Sequence, residues 1–217
     1  MDKQKYKTIE SFMLNQMKDS AHDKHHIYRV LNAAVDIAKY ENSVSMDILI
    51  TACLLHDIGR SAQAENPELC HAQVGAEMAY AFLLEQEWPQ EKAWHVRDCI
   101  SSHRYRGDNL PASIEAKILF DADKLDVSGA IGIARTLIYA GQVCCPLYTT
   151  DENGNIIIDG GDSFVSEYNY KLKNIYNSFY TTRAKEIALK REKVVENFYN
   201  GLLAEVTENY ENGLKIR

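Results

Sequence analysis

Apolar side chains recur along most of this chain at steps of three and four. Ile27, Val30, Leu31, Ala34 and Ala38 stand at i, i+3, i+4, i+7 and i+11, a spacing that gathers one stripe on a helix of about 3.6 residues per turn. The spacing predicts an amphipathic helix. Residues 48–55 are apolar almost throughout, which predicts a helix buried on all sides, with Gly59 ending it. Residues 74–84 and 91–100 predict two more helices, divided by the Trp88-Pro89 break. Pro111 suits the first turn of a helix running through Leu125, and residues 131–139 extend another.

Residues 144–163 read differently. Cys144-Cys145-Pro146, Asp151-Glu152-Asn153-Gly154-Asn155 and Gly160-Gly161 are turn chemistry around the short run Ile156-Ile157-Ile158. They predict a small loop or β-hairpin. Beyond it, Phe164, Tyr168, Leu172, Ile175 and Phe179 form one apolar stripe, and Val194, Phe198, Leu202, Val206 and Tyr210 form another. Two antiparallel helices over 164–212 can zip along these stripes, within the chain or across a homodimer. There is no internal repeat and no Gly-, Ser- or Pro-rich linker, so residues 1–217 read as a single all-α domain.

Composition narrows the functional classes. The 217 residues are 46% hydrophobic and 25% charged, which is globular rather than disordered, and 4 Pro with 11 Gly are too few for a turn-rich all-β fold. A net formal charge of −7 weighs against general nucleic-acid binding. No apolar run nears the roughly 20 residues that span a bilayer. The five cysteines are odd in number and lack a C-x-x-C pair, a pattern of reduced thiols and a cytoplasmic location. Cys53 reads as a small core residue.

The chemistry gathers around His56-Asp57, at the end of the apolar helix. A charged carboxylate there is costly to bury unless something pairs with it. Both side chains can reach one cation placed beyond the helix end. His26, beside the buried face of its helix, and Asp123, in the row of Leu119 and Asp126, are further candidate ligands. Two imidazoles and two carboxylates suit a divalent ion such as Mn, Mg, Fe, Co or Zn. Such an ion lowers the pKa of bound water from ~15.7 towards ~7 and offsets the charge of a phosphate ester.

Three ordered blocks carry a resemblance: His26-Ile27-Tyr28-Arg29-Val30, Leu54-Leu55-His56-Asp57-Ile58-Gly59-Arg60 and Asp121-Ala122-Asp123-Lys124-Leu125-Asp126. They resemble the H…HD…D signature of the HD-domain metal-dependent phosphohydrolase superfamily, over residues 20–140. Ile131-Gly132-Ile133-Ala134-Arg135 and the helical tail are similar to a subgroup of small bacterial HD hydrolases, some of which cleave nucleoside triphosphates to monophosphate and pyrophosphate. The resemblance implies an HD-domain helical bundle with His26, His56, Asp57 and Asp123 as metal ligands. His25 fits the motif less well than His26. Asp121 and Asp126 become supporting partners or surface acids, and Lys124 a group reaching a phosphate oxygen.

His71-Ala72-Gln73-Val74-Gly75-Ala76 and the block from Ile100 through His103-Arg104-Tyr105-Arg106-Gly107-Asp108 resemble the second-metal blocks of HD-GYP phosphodiesterases. Ala72 replaces the Pro of that family, Arg104 replaces its second His, and no Gly-Tyr-Pro follows. The expectation is therefore one ion, with His71 and His103 facing substrate to bind a phosphate oxygen or protonate a leaving group. A second ion held through His71 and His103 is the alternative. Arg60, Arg104 and Arg106 are the candidate phosphate clamps. Arg29 reads as a structural ion pair. Lys171, Arg183 and Arg191 can close over a polyphosphate, and Tyr105 and Tyr148 can stack on a base. The expected activity is hydrolysis of a nucleotide or other small phosphate ester. The alternatives are a di-iron HD-type oxygenase and a non-catalytic, metal-stabilised sensor or scaffold.

Overall fold

The computed structural model describes residues 1–17, 23–104 and 109–213, and the chain falls into two compact units. Residues 1–126 with 179–184 form the first; residues 127–178 with the rest of the chain form the second. The first unit holds α1 (Lys3–Gln16), α2 (Lys24–Ala38), α3 (Met46–Leu55), α4 (Arg60–Glu65), α5 (His71–Glu85), α6 (Gln90–Ser101) and α7 (Ile114–Leu125). The fold is all-α, as the periodicity predicts.

Helix α3 is the central element, packed among α1, α2, α6 and α7. Leu49, Ala52, Cys53, Leu54 and Leu55 are wholly buried, and each such leucine contributes about 1.5–3 kcal/mol of burial. The N-terminal end of α3 is satisfied from α7, where buried Glu115 accepts the Ser45 N–H at 2.7 Å. Helix α2 starts at Asp23, whose carboxylate accepts the His26 N–H at 3.0 Å. Its buried stripe is Ile27, Val30, Leu31, Ala34 and Ile37.

Two helix ends differ from expectation. Helix α3 stops at Leu55, short of Gly59. The intervening turn is closed by i→i+3 bonds from Ile58 N to Leu55 O and from Arg60 N to Asp57 O, a tighter winding than α. Gly59 has another duty, close approach: a Cβ there would lie 2.2 Å from His71 O and 2.6 Å from Gly75 N. Pro111 lies ahead of α7 rather than in its first turn. Ser113 outcompetes it as the start, because its Oγ accepts the Ala116 N–H at 3.1 Å.

The second unit holds α8 (Gly129–Gln142), α9 (Phe164–Glu167), a π-helical turn (Tyr168–Leu172), a 3-10 turn (Ile175–Asn177) and most of α10 (Thr182–Gly213). Ile133, Phe164, Val165, Tyr168, Leu172, Val195 and Tyr199 make its core, with Tyr168 and Tyr199 stacked at 3.7 Å. The first expected C-terminal helix is thus broken into short pieces, although every member of its stripe is buried. On α10 the buried face is Ala188, Val195, Tyr199 and Val206, while Val194 and Phe198 are exposed. A pure i+4 series drifts about 40° per step on a helix, so the stripe counted in fours starts off the core-facing side at Val194 and Phe198 and comes onto it only at Val206. Residues 144–163 form a loop with one antiparallel bridge, Thr150 with Ile156. Asp151 pins its turn by accepting the N–H groups of Asn153 and Asn155.

Candidate metal centre

Six side chains from five segments of the first unit meet in its interior. His26 comes from the first turn of α2, His56 and Asp57 from the turn after α3, His71 from the start of α5, His103 from just past α6, and Asp123 from α7. The four imidazoles and Asp57 are at most 4% exposed. The chain therefore brings together both the four ligands expected from the H…HD…D order and the two additional histidines. His25 is exposed and stands apart.

The anchoring of the rings decides the chemistry. Each imidazole has its Nδ1 against an oxygen: His26 against Asp126 Oδ2 at 2.7 Å, His56 against Cys53 O at 2.8 Å, His71 against Gln63 Oε1 at 2.7 Å and His103 against Ile100 O at 2.6 Å. A carbonyl oxygen only accepts, so Nδ1 carries a proton, and in the neutral ring Nε2 then presents a lone pair. Burial pushes His56 down to about 4. Burial, followed by the charges of Arg60 and Arg104, pushes His71 down to about 2. At neutral pH His71 is then an uncharged ring, suited to ligation or to accepting a hydrogen bond.

These lone pairs converge on carboxylate oxygens. His26 Nε2 lies 3.2 Å from His56 Nε2, 3.4 Å from Asp57 Oδ2 and 3.5 Å from Asp123 Oδ1. On the other side of Asp57, Oδ1 lies 3.7 Å from His71 Nε2 and 3.6 Å from His103 Nε2. Asp57 Oδ2 and His103 Nε2 are buried without a hydrogen-bond partner among the described residues. Acceptors packed against acceptors are unfavourable, and a cation between them removes the penalty. The donors form two groups, His26 with His56 and Asp123, and Asp57 with His71 and His103, each within 4.8 Å. Metal–ligand bonds of about 2.0–2.2 Å place neighbouring ligand atoms about 3 Å or a little more apart, so the spacing fits a divalent ion.

Surrounding charges keep the carboxylates ionised. Desolvation would raise Asp57, but Arg60, whose Nε donates to Oδ1 at 3.0 Å, together with the nearby imidazoles, holds it well below the usual carboxylate range. Desolvation would likewise raise Asp123, and Lys124 with the imidazoles holds it well below. Asp126, which orients His26, is clasped by Arg29 through Nε at 2.6 Å and Nη2 at 3.0 Å. Arg29 is thus the structural ion pair anticipated from its position, and Asp126 the group that orients the His26 ring.

Residues 24–128 match the family model described as HD domain. That segment is an HD domain. It is 28% identical over 196 residues to the uncharacterised Bacillus subtilis protein YpgQ, covering 89% of this chain and 88% of YpgQ. The crystal structure of YpgQ in complex with ADP superposes with a TM-score of 0.72 at 27% identity, over 92% of this chain and 97% of that one. An HD-superfamily hydrolase from Bacillus thuringiensis gives a TM-score of 0.69 at 29% identity, covering 93% and 96%. A Lactobacillus plantarum protein, at 22% identity and a TM-score of 0.79 over 96% and 99%, shares the fold.

Around the HD centre the other expected residues sort themselves. Arg60 and Arg104 both act on His71 through their charge, and Arg104 Nη1 also donates to Cys70 Sγ at 3.4 Å. Arg106 and Tyr105 lie outside the described residues. Asp121 holds the N-terminal end of α10, accepting from Tyr180 N at 2.9 Å, Thr181 N at 2.7 Å and Thr181 Oγ1 at 2.6 Å. Arg183 pairs with Asp36 at 2.9 Å. Lys171 pairs with Glu167, Arg191 donates to Ser128 Oγ at 3.3 Å, and Tyr148 packs on the core of the second unit. Sequence reasoning missed Gln63, which lies on a six-residue helix with no apolar period to draw attention to it.

Proposed function

We propose that the protein is a divalent-metal-dependent phosphohydrolase acting on a nucleotide or another small phosphate ester. One observation carries the reading: four imidazole lone pairs and two ionised carboxylates are buried against one another, an arrangement that only a cation makes favourable. His26, His56, Asp57 and Asp123 would hold the ion. His71 and His103 meet Asp57 Oδ1 much as the first group meets Oδ2, which favours a second ion over substrate contact for this pair. When bound, the metal would supply Lewis acidity and a water deprotonated near neutral pH.

The chain's own residues supply the rest. Asp57 Oδ1 faces one histidine pair and Oδ2 the other, so this carboxylate ties the two groups together. Arg60 is partly exposed and gives one N–H to Asp57; a guanidinium has five donors, which leaves N–H groups for a phosphoryl oxygen. Arg104 adds a second guanidinium near His71. Together they balance negative charge that grows on a phosphoryl group in the transition state. The ADP complex of the relative YpgQ supports a nucleotide as the ligand class. Mn, Mg and Co are the metals to try first, in a protein expected to work in the cytoplasm.

The direct test is a panel of nucleoside mono-, di- and triphosphates with each metal, read for phosphate and pyrophosphate. Asp57→Ala should lose metal and nearly all hydrolysis while keeping its helical circular dichroism. Turnover retained in that variant would overturn the proposal. The six-ligand set also suits a di-iron oxygenase; two irons per chain with oxygen consumption and silence on the phosphate panel would favour that reading.

A further inference from the structure

Lys124 sits beside the presumed ligand Asp123, where sequence spacing suggests a cation reaching for a phosphate oxygen. Its surroundings point elsewhere. The side chain is only about 6% exposed. Its Nζ donates to Asp123 Oδ2 at 2.5 Å and to the backbone carbonyl of His103 at 3.0 Å, and lies 5.0 Å over the buried Phe120 ring. An ammonium has three donors and no acceptor. Two of these hydrogens are committed to protein oxygens and the remaining face rests on an aromatic ring, so contact with a substrate would require leaving all three.

We infer that Lys124 is a positioning residue that fixes the geometry of both ligand groups at once, an assignment that rests on the metal reading above. By taking Oδ2, it leaves Asp123 only Oδ1 to turn towards His26 and His56, at 3.5 and 4.0 Å. By holding His103 O, it pins the segment that follows α6, on which the His103 ring is also anchored through Nδ1 to Ile100 O. The two tethers reach residues of different groups, since Asp123 belongs with His26 and His56, and His103 with Asp57 and His71. Partners that orient metal ligands are each worth about 10–100-fold in metal affinity, and this one serves a ligand in each group.

The test separates holding a metal from touching a substrate. Divalent-ion affinity of wild-type protein, Lys124→Met and Lys124→Gln is measured by competition with a chromophoric chelator, using Mn and Co as probes. Helical content is checked by circular dichroism. Lys124→Met should bind ion about 10–100-fold more weakly, and Lys124→Gln, which keeps a neutral donor, should fall between it and wild type. At saturating metal the KM for the hydrolysed nucleotide should stay within about threefold while kcat falls. Should Lys124→Met fail to fold, the Lys124→Gln affinity decides. Wild-type ion affinity in the variants, with or without a raised KM, would overturn the assignment alone. Absence of ion binding by the wild-type protein would overturn the metal reading and this assignment together.

Discussion

Gly59→Ala isolates a close backbone approach near the candidate metal centre. The added Cβ would stand 2.2 Å from His71 O and 2.6 Å from Gly75 N, where real Cβ atoms essentially never come under 3.0 Å. Both obstacles are backbone, so no side chain can swing aside. The turn and the start of α5 must part by close to an ångström. Overpacking of this kind costs about 1–3 kcal/mol, and for a chain of this length each kcal/mol lowers Tm by about 2–4 °C. The functional cost should be larger than the stability cost. The displaced carbonyl belongs to His71, Asp57 lies two residues before the substituted position, and a 1 Å misplacement can cost about 100-fold in rate. Thermal melts, chelator competition and turnover measure the three effects. Gly75→Ala, whose Cβ would meet Gly59 N at 3.1 Å, should be milder. Gly201→Ala in α10, with nothing within 4 Å among the described residues, should gain up to about 1 kcal/mol of helix propensity. A Gly59→Ala protein with wild-type Tm and ion affinity would refute the tight crossing on which this reasoning depends.

Three further outcomes follow from the same geometry. Asp126→Asn should weaken metal binding about 10–100-fold, because the group that fixes His26 through Nδ1 loses the charge that Arg29 also clasps; unchanged affinity in chelator competition would rule that role out. The metal-free protein should lose stability as pH falls. His56 and His71 take up protons near pH 6.5 when unfolded, yet only at about 4 and about 2 when folded. The unfolded chain then binds more protons, so their contribution is complete above pH 6.5 and is lost on the way down to pH 4 and below; urea midpoints that stay level between pH 7.5 and 4.5 would contradict it. Asp121→Ala should destabilise by several kcal/mol, since two N–H groups and a hydroxyl at the start of α10 lose a buried charged acceptor, at about 1–3 kcal/mol for each group left unsatisfied. A Tm within about 2 °C of wild type would show that water replaces the carboxylate there.

What was legible in the chain depended on whether a side chain's role is set by its own local period or by a distant backbone. His26, His56, Asp57 and Asp123 are local signals, each on or beside an apolar helix stripe, and the fold brings all four to one point. The burial of α3 was legible for the same reason, since eight nearly continuous apolar residues leave no face for water. Phase over a long helix was less so: on α10 the series counted in fours from Val194 starts off the face that Val195 and Tyr199 bury and reaches it only at Val206. Lys124 was illegible because its second acceptor, His103 O, lies 21 residues away and is a carbonyl, which every residue carries. The same blindness covers the tautomers. Two of the four Nδ1 anchors are main-chain oxygens, Cys53 O and Ile100 O, available whatever side chain occupies those positions. Yet these anchors turn each Nε2 into a lone pair, and so make a cluster of buried histidines a place for a cation rather than a network of hydrogen bonds. A motif scan therefore finds the candidate ligands, while their protonation is decided by the turns that present their rings.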